Sequence, residues 1–316
     1  MSDRILVTGG AGFIGSHIVR RLLSDGARVR VVDDLSTGNK SRLADVQNSI
    51  EFNRGDLANP AICDEAVRGM DYVLHQAAVP SVQRSVHDPL GTHRANVTAT
   101  LNLLDSCRRA GIRRFVYAAS SSAYGDTEVL PKVEDIPPNP LSPYALQKLT
   151  GEGYCKLYFD IFGLETVSLR YFNVFGPGQD PTSEYSAVIP KFVTKLLAGK
   201  RLMVYGDGEQ SRDFTYIDNV VEANLLAVHA ADAVGKVFNI GCGARISLNR
   251  LIQMLEAISG IVAEVEYLPA RAGDVRDSLA AIDLAQKFLG YAPKVSVEEG
   301  LKRTVESFKR DAAVPL

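Results

Sequence analysis

The stretch that decides the fold is Ile5-Leu6-Val7-Thr8-Gly9-Gly10-Ala11-Gly12-Phe13-Ile14-Gly15, near the start of the chain. Its first three apolar residues predict a short buried strand, and the residues that follow Gly15 have the periodicity of a helix. Glycines recur at positions 9, 12 and 15 between these two elements. Because glycine has no side chain, backbone N–H groups can approach a pyrophosphate at the helix N-terminus. The stretch therefore predicts a dinucleotide-binding strand–turn–helix unit.

Two acidic residues, Asp33 and Asp34, end the next predicted strand, which begins at Arg28. Asp33 follows Gly15 at about the spacing at which an acid binds the adenosine ribose hydroxyls. Two consecutive carboxylates at this point would repel a 2′-phosphate. The sequence therefore predicts NAD, rather than NADP, as the cofactor.

Strands and helices alternate along the first half of the chain. Further strands are predicted at residues 50–54, 70–74 and 114–118, and a helix at residues 96–109. This alternation predicts an α/β fold, a Rossmann-type doubly wound parallel sheet. Ligands of such sheets lie at the carboxyl ends of the strands.

Beyond residue 170 the alternation weakens, which predicts a smaller mixed α/β lobe in the C-terminal part of the chain. We expect residues 1–170, with a return segment at about 212–240, to form the cofactor-binding domain. Residues 171–211 and 241–316 are expected to form the substrate lobe.

The residues Ser142 and Pro143 are a helix-start signal, and they put Tyr144 in the first helical turn. Lys148, four residues on, lies on the same helical face. An ammonium and the positive end of a helix both favour a phenolate, so we expect the pKa of Tyr144 to be lowered. Ser120, at the end of a predicted strand, could bond a substrate hydroxyl and carry its proton to Tyr144.

The composition excludes several classes of function. The net charge of −2 over 316 residues gives no basic field, so we expect no nucleic-acid partner. Four cysteines without a Cys-x-x-Cys motif and five scattered histidines predict no metal site and reduced thiols in the cytoplasm. We see neither a signal peptide nor an apolar stretch long enough to span a membrane, and we expect no membrane association.

Taken together, these motifs resemble those of the extended short-chain dehydrogenase/reductase family, and within it the UDP-sugar 4-epimerases. The resemblance rests on Thr8 to Gly15, Asp33, Asp56-Leu57, His75 to Ala78, Asn96, Ser120 to Gly125, Tyr144 with Lys148, Arg170 to Asn173, Arg212-Asp213 and Arg271-Ala272-Gly273-Asp274.

The resemblance implies a role for each matching residue. Tyr144 is the expected base, Lys148 supports the phenolate and binds the nicotinamide ribose, and Ser120 and Ser122 contact the sugar. The expected NAD-binding residues are Gly9, Gly12, Phe13, Ile14, Gly15, Asp33, Asp34, Ser36, Thr37, Gly38, Asp56, Leu57, Gln76, Ala77, Ala78, Asn96, Ser120, Tyr144, Lys148 and Tyr171. The expected UDP-sugar-binding residues are Ser122, Asn173, Val188, Tyr205, Arg212, Arg271, Asp274 and Ser278.

The resemblance also indicates a reaction and a substrate. Ser121 and Ser122 stand where nucleotide-sugar 4,6-dehydratases usually carry an Asp-Glu pair, which favours epimerisation by transient oxidation at C4 over elimination of water. Ser278 leaves space beside the 2-substituent of the sugar. We therefore expect UDP-GlcNAc and UDP-GalNAc to be interconverted, along with UDP-glucose and UDP-galactose.

Three alternatives stay open at this point. They are a UDP-glucuronate 4-epimerase, another NAD-dependent enzyme such as a ketone reductase or a nucleotide-sugar-modifying relative, and a non-enzymatic NAD-binding regulator. Helices expected at residues 96–109 and 146–162 resemble the family's dimer-forming pair, so we expect a homodimer.

Overall fold

The described part of the chain, residues 2–181, 187–270 and 275–313 of a computed structural model, contains thirteen strands and eleven α-helices. The strands are β1 (Arg4–Thr8), β2 (Arg28–Asp33), β3 (Ile50–Arg54), β4 (Tyr72–His75), β5 (Arg114–Ser120), β6 (Glu165–Tyr171), β7 (Val174–Phe175), β8 (Leu202–Tyr205), β9 (Ser211–Arg212), β10 (Thr215–Tyr216), β11 (Lys236–Ile240), β12 (Ile246–Ser247) and β13 (Val265–Leu268). The helices are α1 (Phe13–Ser24), α2 (Pro60–Val67), α3 (Val82–His87), α4 (Pro89–His93), α5 (Ala99–Ala110), α6 (Pro143–Phe162), α7 (Val188–Leu197), α8 (Ile217–His229), α9 (Leu248–Ser259), α10 (Asp283–Leu289) and α11 (Val297–Ala313).

Seven of these strands form one parallel sheet in the order β11-β6-β5-β4-β1-β2-β3. The order reverses between β1 and β4, which opens a crevice at the carboxyl ends of these two strands. Three short ladders, β7 with β10, β8 with β13 and β9 with β12, lie outside this sheet. The expected Rossmann-type doubly wound sheet is confirmed.

Alternation along β1 fills the two faces of the sheet. Ile5 and Val7 pack in a core with residues of α1 and α8, and Leu6 packs in a second core with residues of α2 and α5. Successive side chains of a strand point to opposite faces. Because both faces are covered by helices, the three consecutive residues Ile5, Leu6 and Val7 are all apolar, as expected for a buried parallel sheet.

The helix expected over residues 96–109 differs in its first turn. Residues Arg94–Thr98 form a wider π-type turn, and the regular helix α5 begins only at Ala99. Asn96 lies in this turn with its side-chain amide bonded to the backbone of Val79. The local sequence pattern does not reveal a turn that is tied to a distant loop in this way.

His75 ties the end of β4 to its neighbours and is 1% exposed. The Thr100 hydroxyl donates to a backbone carbonyl, so it accepts a bond from Nε2 of His75 at 2.9 Å. Nδ1 of the neutral ring therefore accepts from the Thr8 hydroxyl at 2.7 Å, and that hydroxyl also accepts from the Ala77 N–H at 3.2 Å. His75 is therefore a neutral imidazole with both nitrogens satisfied.

We predict that His75 makes the protein sensitive to acid. Burial, followed by the charge of Lys148, lowers the pKa of His75 from 6.5 to about 3. Between these two values the unfolded chain binds a proton that the folded chain does not, so the free energy of unfolding falls as the pH falls. Urea unfolding of the wild type and of His75→Gln at several pH values measures how much of the fall in the free energy of unfolding is due to His75.

The expected result is that His75→Gln is less stable at pH 8 but loses less stability than the wild type between pH 7 and pH 5. Parallel pH profiles for the two proteins would contradict it.

Candidate active site

A cavity of about 650 Å³ opens at the carboxyl ends of the central strands. Its lining includes eighteen of the twenty residues expected to bind NAD, all except Asn96 and Ser120. These eighteen are Gly9, Gly12, Phe13, Ile14, Gly15, Asp33, Asp34, Ser36, Thr37, Gly38, Asp56, Leu57, Gln76, Ala77, Ala78, Tyr144, Lys148 and Tyr171. The fold therefore gathers residues from five strand ends and from the helices α1 and α6 around a single space.

The glycine turn forms one wall of the cavity. Gly9 has a φ of +66°, and a Cβ there would lie 2.7 Å from the Ala77 backbone. A Cβ at Gly15 would lie 2.2 Å from the Gly9 carbonyl oxygen. Among the described residues no side chain caps the N-terminus of α1. Its first N–H groups therefore suit the pyrophosphate of a dinucleotide.

The two acidic residues after β2 hold their own loop in shape. Asp33 accepts hydrogen bonds from the N–H groups of Ala11 and Leu35, both at 2.9 Å, and burial raises its pKa. Asp34 accepts from the N–H and the hydroxyl of Ser36. Each carboxylate oxygen can accept a further bond, so the pair remains suited to the ribose hydroxyls of NAD.

The start of α6 positions Tyr144. Ser142 caps the helix by accepting a bond from the Ala145 N–H at 3.1 Å, as expected. The Tyr144 hydroxyl is hydrogen-bonded to Ser120. Ser122 in turn donates to the Ser120 hydroxyl at 2.8 Å. The three predicted catalytic hydroxyls thus form one chain, from Ser122 through Ser120 to Tyr144.

The charge state of this site differs from our expectation. The Lys148 ammonium donates to the Ala118 carbonyl at 2.8 Å and lies 5.1 Å from the ring centroid of Tyr117. Burial lowers the pKa of Lys148 to about 8. The pKa of Tyr144 is raised, because burial outweighs the bond from Ser120. Our prediction that Lys148 lowers this pKa is therefore wrong: desolvation acts on both groups.

Asn96 also differs from its expected role. It is 1% exposed and does not line the cavity. Its amide bonds the backbone of Val79 and, at 2.8 Å, the Gln147 side chain. It fixes the loop that follows β4 instead of facing the cofactor space.

Two arginines that line the cavity, Arg42 and Arg84, were not among the residues expected from the sequence. Arg42 bonds the Gly178 carbonyl oxygen, and Arg84 lies on α3 immediately before Ser85, whose hydroxyl accepts from the Tyr144 N–H at 3.0 Å. No local pattern separates these arginines from others on the surface, so only the fold reveals them.

The expected sugar-binding residues come from separate segments. Asn173, which has a φ of +30°, lies 3.5 Å from the Ser278 hydroxyl through its side-chain nitrogen. The Ser278 N–H bonds the carbonyl of Ser211, and the Arg212 guanidinium bonds the same carbonyl. Asn173, Arg212 and Ser278 therefore lie together. Tyr205 is the last residue of β8, and Val188, the first residue of α7, packs against the core. Arg271 and Asp274 lie outside the described residues.

Asp213 holds this second region together and is fully buried. Its carboxylate accepts from the N–H groups of Cys242 at 2.8 Å, Gly243 at 3.0 Å and Ala280 at 3.1 Å. Burial nevertheless raises its pKa to about 6. Asp213 thus joins the segment after β11 to the segment that carries Ser278.

Within residues 2–181, 187–270 and 275–313, no cluster of three or more potential metal ligands occurs. In the same ranges, no helix has the length and the apolar character needed to cross a bilayer.

The glycine turn, the acids after β2 and the Tyr-x-x-x-Lys helix together define a short-chain dehydrogenase/reductase of the extended type. The chain belongs to the NAD dependent epimerase/dehydratase family, whose model matches residues 5–241. The family resemblance and the expectation of NAD as cofactor are confirmed.

Solved structures of several UDP-sugar 4-epimerases are similar to this chain. The UDP-glucose 4-epimerase of Thermotoga maritima, solved with UDP-glucose, is 39% identical, with a TM-score of 0.93 and coverage of 98% of this chain and 99% of that one. The UDP-N-acetylglucosamine 4-epimerase of Methanobrevibacter ruminantium, solved with UDP-N-acetylmuramic acid, is 38% identical, with a TM-score of 0.94 and coverage of 98% and 100%. The UDP-glucuronic acid 4-epimerase of Bacillus cereus, solved with UDP-glucuronic acid and NAD, is 33% identical, with a TM-score of 0.90 and coverage of 97% and 99%.

We predict that Tyr144 stays protonated up to high pH when the cavity holds no ligand. Burial raises its pKa, so less phenolate forms at any given pH than in an exposed tyrosine. The ultraviolet tyrosinate band of cofactor-free wild type minus that of Tyr144→Phe, followed through a pH titration, measures this group alone. A difference band that appears near neutral pH would refute the expectation.

Proposed function

We propose that this chain is a UDP-hexose 4-epimerase that interconverts UDP-GlcNAc with UDP-GalNAc, and UDP-glucose with UDP-galactose. The hydroxyl chain from Ser122 through Ser120 to Tyr144, at the edge of the dinucleotide cavity, is the observation that carries the proposal. Such a chain suits removal of a proton from a sugar alcohol and its later return.

In the proposed mechanism, Tyr144 takes the proton of the sugar 4-hydroxyl and Ser120 orients that hydroxyl. NAD, when bound, supplies a reversible hydride acceptor for C4. Burial raises the pKa of Tyr144, so the phenolate that this mechanism needs has to be stabilised by a nearby cation. Lys148, on the next turn of α6, is the cation that can then support the phenolate.

Inversion at C4 also requires the oxidised sugar to present its opposite face before it is reduced. We infer that residues 171–211 and 241–316 form a lobe that grips the UDP group, with a return segment at about 212–240 in the cofactor domain of residues 1–170. Arg212 is suited to a diphosphate, because a guanidinium bonds phosphate oxygens in a forked geometry. Binding energy that is concentrated on the nucleotide leaves the sugar free to turn.

We predict that the purified protein interconverts UDP-sugars without added cofactor and that Tyr144→Phe lowers kcat by roughly 10²- to 10⁴-fold, the usual contribution of a general base. UDP-GlcNAc, UDP-glucose and UDP-glucuronate are incubated separately and the products are resolved by chromatography. Bound NAD is measured in both proteins, so that a loss of cofactor is not mistaken for a loss of the base.

Ser121→Ala is the matched control, because Ser121 lies between the two bonded serines and is not part of their chain. A Tyr144→Phe protein that keeps its NAD and epimerises as fast as the wild type would overturn the mechanism.

The proposed acceptance of acetylated sugars rests on Ser278. Its small side chain lies beside Asn173, at 3.5 Å, and is half-buried. A serine leaves space at a position where the family resemblance implies contact with the 2-substituent of the sugar. A tyrosine would fill that space and crowd an N-acetyl group.

We predict that Ser278→Tyr selectively lowers kcat/KM for UDP-GlcNAc, by at least about tenfold, which corresponds to roughly 1.4 kcal/mol of steric penalty. UDP-glucose should be turned over nearly as well as by the wild type. Ser278→Ala, which removes the hydroxyl without adding bulk, should affect both substrates equally. An equal loss on both sugars in Ser278→Tyr would rule out a size gate.

A second candidate is epimerisation of UDP-glucuronate. Arg84 favours it, because this cation lines the cavity next to the segment that bonds Tyr144, and an arginine can bind a hexuronate carboxylate. The similar Bacillus cereus enzyme was solved with that substrate. The UDP-glucuronate incubation separates this candidate from the first.

We also infer a homodimer formed through α5 and α6. On one face of α6, Leu146, Leu157 and Ile161 are 54%, 49% and 65% exposed. Their spacing puts them on one stripe of the helix, and an exposed apolar stripe of this kind is typical of an interaction surface.

The four free cysteines support our inference of a reducing, cytoplasmic location.

A further inference from the structure

A buried asparagine on α8, Asn224, contacts two residues of the NAD cavity. Asn224 is fully buried and does not line the cavity. It lies 148 positions from Gln76 and 53 from Tyr171 along the chain, and both of these side chains do line the cavity. No sequence motif draws attention to it.

The three side chains form a closed ring of hydrogen bonds. Nδ2 of Asn224 donates to the Tyr171 hydroxyl at 2.8 Å. The Tyr171 hydroxyl lies 3.1 Å from Oε1 of Gln76 and 3.0 Å from Oδ1 of Asn224, and donation of its one hydrogen to Gln76 closes the ring, because Oδ1 of Asn224 accepts from the Gln76 amide. Nε2 of Gln76 donates to Oδ1 of Asn224 at 3.0 Å. The second N–H of the Asn224 amide donates to the Val220 carbonyl at 2.8 Å, which fixes which way round the amide lies.

This ring sets the direction in which the cavity wall presents its polar atoms. With Asn224 fixed, the Gln76 amide has one orientation, and its remaining N–H and its remaining lone pair face fixed directions. Burial also raises the pKa of Tyr171. The Tyr171 hydroxyl therefore stays a neutral donor, in contrast to the role proposed for Tyr144.

We infer that Asn224 is a positioning residue for the cofactor: it acts through Gln76 and Tyr171 to preorganise the wall that retains NAD. The inference rests on the NAD-binding part of the proposed function and not on the identity of the sugar. In an Asn224→Leu variant, the Gln76 amide loses its acceptor and the Tyr171 hydroxyl its donor. Both groups then lose their fixed orientation, and binding NAD has to restore it.

The test measures how tightly NAD is held, independently of turnover. Wild-type protein loaded with NAD is mixed with excess isotope-labelled NAD, and the exchange of bound for labelled cofactor is followed over time. We expect exchange to be roughly tenfold faster in Asn224→Leu, the effect of losing on the order of one buried hydrogen bond. The affinity for UDP, measured by calorimetry, should stay unchanged.

Asn219 supplies a matched control on the same helix. It is 2% exposed, and within the described part of the chain its amide bonds the backbone at residues 294 and 295 and makes one long contact with Cys242. Asn219→Leu should therefore lower the melting temperature while leaving NAD exchange within about twofold of the wild type. Asn224→Ala serves as the second variant if Asn224→Leu does not fold.

Unchanged exchange in the Asn224 variants, or equal acceleration in Asn219→Leu, would overturn the inference while leaving the proposed function intact. A wild-type protein that binds no NAD would overturn both.

Discussion

The close approach of two backbone segments at the crevice is the constraint on which the rest of the site depends. At Gly9 any Cβ would lie 2.7 Å from the backbone of Ala77, so the ends of β1 and β4 meet without an intervening side chain. The Thr8 hydroxyl accepts from the Ala77 N–H and donates to His75 across the same gap. The glycine turn and the loop after β4 are therefore one rigid unit, and the cavity forms where they join.

Burial governs the chemistry of this site as strongly as charge does. Lys148 and Tyr144 share a helical face, yet the lysine ammonium bonds the Ala118 carbonyl and the phenol bonds Ser120. Both are held in an apolar environment that disfavours their charged forms. Burial therefore opposes the phenolate that the proposed base requires, and the nearby ammonium of Lys148 has to offset that effect.

The second region of the chain uses a buried carboxylate instead of glycines to bring distant segments together. Asp213 satisfies N–H groups from the segment after β11 and from Ala280, while its own carbonyl accepts from the Asn173 side chain at 3.0 Å. Since Ser278 lies two residues before Ala280, this carboxylate fixes the position of the proposed size gate. A buried acid with several backbone partners is costly to disturb.

The sequence by itself determined the elements and most of the cofactor cavity. Strand β3 has the predicted bounds, and the glycine turn and the Ser142 cap act as their local chemistry requires. These features depend on neighbours within a few positions, so their spacing is visible in one dimension. Only the tertiary structure decided the raised pKa of Tyr144 and the link from Asn224 to the cavity. Those depend on desolvation and on contacts between residues far apart in the chain, which no local pattern encodes.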